Sequence, residues 1–247
     1  MASIAIIGGT GLTKLANLSI VRREIHVSKY GEPSAPLIRG TLGGVEVLFL
    51  PRHGAGHTIT PHMVNYRANI SVLHSAGINK VVAINAVGGI AENMIPQAIA
   101  IPDQIIDYTW SREHTFFDQG LDGVTHIDFT EPYCEELRQE IIRSATKSGT
   151  NVIEAATYAV TQGPRLETAA EVDKLEKDGC HVVGMTGMPE AALARELDMC
   201  YASIAVIANK AAGRGDGEIT LAEINKNLKI GMAKTREIIE NLIQSIA

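Results

Sequence analysis

Five apolar stretches of this 247-residue chain break off into small or polar residues. Ile7 runs into Gly8-Gly9-Thr10-Gly11, and Leu50 into Pro51-Arg52-His53-Gly54. Ile84 runs into Asn85-Ala86-Val87-Gly88-Gly89, Val183 into Gly184-Met185-Thr186-Gly187, and Ala208 into Asn209-Lys210-Ala211. Arg52 offers a planar fork matched to phosphate oxygens. Thr10 sits in a glycine turn whose backbone N–H groups suit an anion, and His53 can donate a further hydrogen bond. Ala86 lies where a small side chain lets the backbone approach a ligand. Met185 can pack on a sugar face, Asn209 is an amide at a strand tip, and Glu167 in Gln-Gly-Pro-Arg-Leu-Glu-Thr is an acidic acceptor. Together these groups form a phosphate cradle joined to a polar organic site. Two rival readings fare worse. A dinucleotide fingerprint needs glycine three residues after Gly11, where Lys14 stands. His53 and His57 as metal ligands lack a Cys or carboxylate at ligand spacing.

Ligands of open α/β sheets sit outside strand ends, so five such ends from distant parts of the chain predict one shared pocket. The elements that would hold it can be read in order. A strand is expected from Ser3 to Gly9, then a hairpin turning at Gly43-Gly44 with its second strand from Val45 to Leu50. A helix ends at Gly77, and a buried strand runs from Lys80 into Asn85-Ala86. Residues 97–109 are β-like, and His114–Pro132 form a long irregular stretch of the kind that usually serves function. An amphipathic helix from Glu131 is followed by a long strand from Asn151 to Gln162. A helix follows Thr168, and a strand and turn follow His181. Another helix starts at Pro189, a buried strand covers Tyr201–Ala208, and a closing helix spans about Thr220 to Ile246. Without repeats or a linker, residues 1–247 read as one α/β domain with a mixed, largely buried sheet.

Composition narrows the function classes. Hydrophobic residues make up 45% and charged ones 20% of the chain, as in an ordinary soluble domain. A net charge of -6 argues against nucleic acid as partner. No apolar run is long enough for a membrane helix, and the first residues lack a basic signal-peptide region. Cys134, Cys180 and Cys200 lack Cys-x-x-Cys spacing and read as buried thiols of a cytoplasmic protein.

Nearly the whole chain resembles the trimeric nucleoside phosphorylases, the family of 5'-methylthioadenosine phosphorylases and low-molecular-mass purine nucleoside phosphorylases. The likeness is carried by "IIGGTGL", "PRHGAGHTITPHMVNYRANI", "NAVGGI", "GVTHIDFTEPYC", "QGPRLET" and "VVGMTGMPEAALARELDMCYASIAVIANKA". It implies a mixed sheet, closed into a distorted barrel and flanked by helices. It also implies cleavage of a purine N-glycosidic bond by inorganic phosphate, with no metal or other cofactor. By the same resemblance Thr10, Arg52, His53, Ala86 and Thr186 bind phosphate with Asn85 beside them, and Met185 contacts the ribose. Asn209, with Lys210 and Ala211, meets the base. His126 reaches a neighbouring subunit's pocket in a homotrimer.

The resemblance also divides by substrate. Methylthioadenosine enzymes carry Asp-x-Asp where this chain has Asn209 and Ala211, and Ser where it has Glu167. A carboxylate opposite N1 suits hypoxanthine or guanine, whose N1 carries a proton, and opposes the lone pair of adenine N1. Enzymes for ordinary nucleosides place His near the 5'-hydroxyl. Here Leu221 aligns, and Ile219, Thr220 and Ala222 include no His. An apolar wall suits a methylthio group and leaves a hydroxyl unpaired. The combination predicts S-methyl-5'-thioinosine as preferred substrate. The alternatives are a 6-oxopurine nucleoside phosphorylase for inosine and guanosine, and a 5'-methylthioadenosine phosphorylase.

Overall fold

The structure, a computed structural model, describes residues 4–12, 15, 17–118 and 123–246. Ser3, Lys14 and residues 119–122 of the irregular stretch lie outside them. The chain opens with β1 (Ile4–Gly8), whose residues are all buried. An antiparallel meander follows: β2 (Ser19–Glu24), β3 (Leu37–Leu42) and β4 (Val45–Pro51). Gly43 and Gly44 make the β3–β4 turn with φ of 59° and 86°, the two positive values that a twist-matched two-residue hairpin needs. Then come α1 (Tyr66–Ser75), β5 (Lys80–Gly89), β6 (Ile99–Ala100) and β7 (Gln104–Asp107). The second half holds α2 (Glu135–Lys147), β8 (Thr157–Val160), α3 (Ala169–Lys177), β9 (Val182–Gly184), α4 (Glu190–Glu196), β10 (Cys200–Lys210) and α5 (Leu221–Ser245).

The ten strands among the described residues join one mixed sheet in the order β2-β3-β4-β1-β5-β9-β8-β7, with β10 on β5 and β6. Period-two alternation sorts its residues into two cores. Ala5, Ile7, Val81, Ala83, Tyr201 and Ala205 face one way, toward Ile70, Leu73 and Ala194 of α1 and α4. Ile4, Ile6, Val82, Ile204 and Val206 face the other, toward Ile141 of α2 and Met232 and Ile239 of α5. Both faces are covered, so the central strands read as unbroken apolar runs.

The structure departs from the sequence expectations in four places. The long strand expected from Asn151 shrinks to Thr157–Val160. Before it, Ile153 bridges to Ala100, and the Asp103 carboxylate accepts from Ala156 N at 2.8 Å, so the chain turns before it can pair with β7. Pro189 stands at the N-cap of α4, one residue outside it. β2 is a further, exposed edge strand. Cys134 and Cys200, expected as free thiols, form a disulfide across 66 residues, whereas Cys180 is free and buried. Spacing could not reveal this pair. Cys134 N donates to Tyr201 O at 2.8 Å, and that contact brings the start of α2 onto the start of β10. Among the described residues no helix is long and apolar enough to cross a membrane.

Candidate active site

The candidate site lies where the sheet divides. β1 pairs with β5 only as far as Ile7 opposite Ala83, and β9 joins β5 only at Gly88 and Gly89, opposite Val183 and Val182. Along Ile84–Val87, β5 therefore keeps β10 on one side and, among the described residues, has no strand on the other. A cavity of about 330 Å³ opens there. Ten of the thirteen residues singled out in the sequence line it: Thr10, Arg52, His53, Ala86, Glu167, Met185, Thr186, Asn209, Ala211 and Leu221.

Arg52 is fully buried, and its neighbours fix its aim. Nε and Nη2 donate to the two Glu190 carboxylate oxygens at 2.8 and 2.7 Å, and Nη1 donates to Ile84 O at 2.8 Å in the gap of the sheet. A guanidinium has five N–H groups, so each Nη keeps one for a ligand. Tyr201 OH donates to Glu190 Oε2 at 2.9 Å and completes the clamp. Burial opposes the arginine's charge. The attraction and hydrogen bonds of Glu190 outweigh that and hold Arg52 above the ordinary guanidinium value.

Asn85 departs from its expected role beside the anion. It is fully buried and does not line the cavity. Ser203 Oγ donates to its Oδ1 and its Nδ2 donates to Thr186 Oγ1, both at 2.8 Å. Since Thr186 Oγ1 accepts from the amide, its own hydrogen is free to point at a ligand. Asn85 thus makes Thr186 a donor. Thr10 Oγ1 lies 3.1 Å from His57 Nε2, which ties the glycine turn to the loop after β4.

His53 also differs from expectation. Its Nδ1 lies 2.8 Å from Ile59 O, so that nitrogen carries the hydrogen. Burial first, and then the charge of Arg52, push its pKa down to about 4. The ring is neutral at pH 7, and Nε2 presents a lone pair where a donor was expected.

At the tip of β10 a bulge decides the geometry. β10 and β5 run in register to Ile207 opposite Val87, and then Asn209, not Ala208, stands opposite Gly88. The extra residue resets the alternation, and Ala208 and Asn209 both line the cavity. Asn209 Nδ2 donates to Lys210 O at 2.7 Å. Its Oδ1 and second amide hydrogen have no partner among the described residues. Lys210 does not reach this cavity. Its Nζ donates to Ala91 O and Glu92 O at 3.3 and 2.9 Å. His126 is exposed and lines none of the described cavities of this single chain.

Several supports carry no sequence signal. Gly163, with φ of 65°, lies so close to Met185 that a Cβ there would fall 2.4 Å from the sulfur. Arg112 Nη1 donates to Met185 O and Met188 O at 2.8 and 2.7 Å, and its Nη2 donates to Gln162 O at 2.8 Å. It ties the loop after β8 to the loop after β9. Thr220 caps α5 by accepting from Glu223 N at 3.2 Å. Leu221, the first residue of that helix, joins Ile219 and Ile224 in an apolar wall. Leu221 is 77% exposed, so one chain leaves this wall open. Glu190, Tyr201, Ser203 and Arg112 support the site without having stood out in the sequence. Among the described residues no group of three or more His, Cys, Asp or Glu could hold a metal ion.

The model of the phosphorylase superfamily matches residues 3–244. A protein of Pseudomonas syringae pv. tomato named probable S-methyl-5'-thioinosine phosphorylase is 48% identical over 245 residues, covering 99% of this chain and 100% of its own. The 6-oxopurine nucleoside phosphorylase of Pyrococcus furiosus is 42% identical, covering 100% of this chain and 92% of its own. Among solved structures, a methylthioadenosine phosphorylase from Schistosoma mansoni in complex with adenine superposes with a TM-score of 0.95. It is 31% identical and covers 100% of this chain and 92% of its own.

Proposed function

The chain belongs to the phosphorylase superfamily, and from that premise we propose that it splits S-methyl-5'-thioinosine with inorganic phosphate. The products are hypoxanthine and S-methyl-5-thioribose 1-phosphate. The observation that carries this reading is one cavity with Glu167 and Asn209 on its wall beside Ile219, Leu221 and Ile224. The first two suit a 6-oxopurine, and the other three suit a 5' substituent with no hydroxyl.

Breaking the C1'–N9 bond builds positive charge on the sugar and negative charge on the purine. The protein must hold phosphate against C1' and stabilise the departing base. Arg52 would grip phosphate with its two uncommitted N–H groups and Thr186 with the hydrogen that Asn85 leaves free. Thr10 and the backbone at Ala86 would complete the cradle. The neutral His53 would accept from the protonated oxygen of hydrogen phosphate. Met185 would pack on the ribose. On the base, Glu167 would accept N1–H, and the free amide hydrogen of Asn209 would donate to N7 as charge develops there. Neither a metal nor a covalent intermediate is required.

The open 5' wall supports a homotrimer in which a neighbour closes each site. Leu221 is 77% exposed, and His126 is exposed and outside its own chain's cavity. A neighbouring His126 would supply the missing cover. A second reading, a phosphorylase of inosine and guanosine, keeps the same base chemistry and is favoured by the likeness to the Pyrococcus protein. Specificity constants on methylthioinosine, methylthioadenosine, inosine and guanosine separate these readings. Methylthioinosine is expected to rank first. A higher value for methylthioadenosine overturns the base assignment, and equality with inosine overturns the sugar assignment.

A further inference from the structure

Glu167 stands at a junction. Its side chain lines the candidate active-site cavity, an outer cavity of about 300 Å³ beside Trp110 and Lys174, and a third of about 510 Å³ under the Gly213–Gly217 loop. A carboxylate free to rotate there could face an ammonium, solvent or the base. One contact selects among these. Thr161 Oγ1 donates to Glu167 Oε1 at 2.6 Å. A threonine hydroxyl has a single hydrogen, and the other acceptor in reach, Gly184 O, lies farther away at 3.3 Å. That carbonyl already accepts from Thr161 N at 2.8 Å. Glu167 Oε2 has no partner among the described residues.

Thr161 is itself held. It directly follows β8, its N–H is bound to Gly184 O, and Arg112 Nη2 donates to its carbonyl at 3.3 Å. Arg165, the cation nearest Glu167 in sequence, is committed elsewhere, with its Nη atoms on both Glu171 oxygens at 2.8 and 2.7 Å. Among the described residues no cation is hydrogen-bonded to Glu167, whose Oε1 is held by Thr161.

We propose that Thr161 is a positioning residue that sets base specificity: its hydroxyl engages one oxygen of Glu167 and holds the carboxylate so that the other reads the purine N1 edge. The proposal rests on the reading of Glu167 as acceptor for a protonated N1. Without the hydroxyl, Glu167 turns toward Lys174 or solvent. The 6-oxopurine then loses its acceptor, and the 6-aminopurine, which needs none, loses little.

The test compares methylthioinosine with methylthioadenosine at saturating phosphate for wild type, Thr161→Val, Thr161→Ala, Thr161→Ser and Glu167→Gln. A hydrogen bond to a charged group predicts that Thr161→Val lowers kcat/KM for methylthioinosine about 10- to 100-fold. The loss on methylthioadenosine is expected to stay below about 3-fold, with KM for phosphate unchanged. Thr161→Ala lacks the hydroxyl without putting a methyl in its place, and the same change of ratio is expected of it, so it carries the test should Val misfold. Thr161→Ser keeps the hydroxyl and is expected to restore the wild-type ratio. A general loss of folding or rate would move both substrates together and leave their ratio in place. If Glu167→Gln collapses the ratio and Thr161→Val and Thr161→Ala do not, Thr161 has no such role. If Glu167→Gln leaves the ratio unchanged, the base reading itself falls, and this proposal with it.

Discussion

Glu190→Gln is the most searching perturbation of the proposed phosphate cradle. Glu190 and Arg52 are both wholly buried, with Nη2 to Oε2 at 2.7 Å. The glutamate accepts three hydrogen bonds, two from Arg52 and one from Tyr201. A glutamine amide would set its NH2 against at least one of those donors and remove the counter-charge. Breaking a buried pair by removing one partner costs about 3–5 kcal/mol, mostly from the charge left uncompensated. For a chain of this length each kcal/mol lowers Tm by about 2–4 °C, so a fall of about 6–20 °C is expected by scanning calorimetry. Phosphate affinity, read by isothermal titration, should fall as well, because Arg52 loses the bidentate hold that aims its free N–H groups. The double variant Arg52→Met, Glu190→Leu separates the two effects. With both charges gone it should recover much of the Tm, since well-packed apolar replacements of buried pairs are often neutral or stabilising, yet still bind no phosphate. A Glu190→Gln protein melting within about 2 °C of wild type would refute the reasoning.

Asn85→Ala should raise KM for phosphate about 5- to 15-fold, the loss of roughly 1–1.5 kcal/mol as Thr186 regains its freedom to rotate. KM for the nucleoside should barely change, and steady-state kinetics with each substrate varied in turn checks both. His53 predicts a pH dependence of stability. Its folded pKa of about 4 lies below its ordinary 6.5, so the unfolded chain binds the proton more readily. The contribution is therefore complete above pH ~6.5 and is lost as pH falls through about 4, up to about 3 kcal/mol in all. Urea unfolding from pH 7 to 4 should show wild type losing that much more than His53→Asn, whose amide keeps the donor to Ile59 O and does not titrate. Leu221→His should raise kcat/KM for inosine relative to methylthioinosine. An unchanged ratio would remove Leu221 from the 5' pocket.

Most elements were legible because their cause is local. The apolar runs of β1, β5 and β10, the Gly43-Gly44 turn and the cap at Thr220 depend on residues a few positions apart. The short β8 was harder, because its start is set by Asp103 and Ile153 pairing with distant backbone. The candidate site was legible as an inventory of residue types at strand ends, but not as an arrangement. Nothing near Asn85 says that it faces Ser203 and Thr186. The direction of the His53 hydrogen bond depends on a carbonyl six residues away, and the aim of Lys210 on two carbonyls more than a hundred residues earlier.

The sequence by itself determined that apolar strands end in small, polar and cationic residues, that a carboxylate at Glu167 and an amide at Asn209 are among the groups offered there, and that no histidine stands beside Leu221. Tertiary structure alone decided the rest. Arg52 meets its counter-ion 138 residues away, Cys134 meets Cys200 across 66, and a bulge at Ala208 turns Asn209 into the cavity. Residue type fixes what a group can donate or accept. Which of its hydrogens and lone pairs remain free for a ligand depends on neighbours that only the packing of β5, β9, β10 and α4 brings within 3 Å.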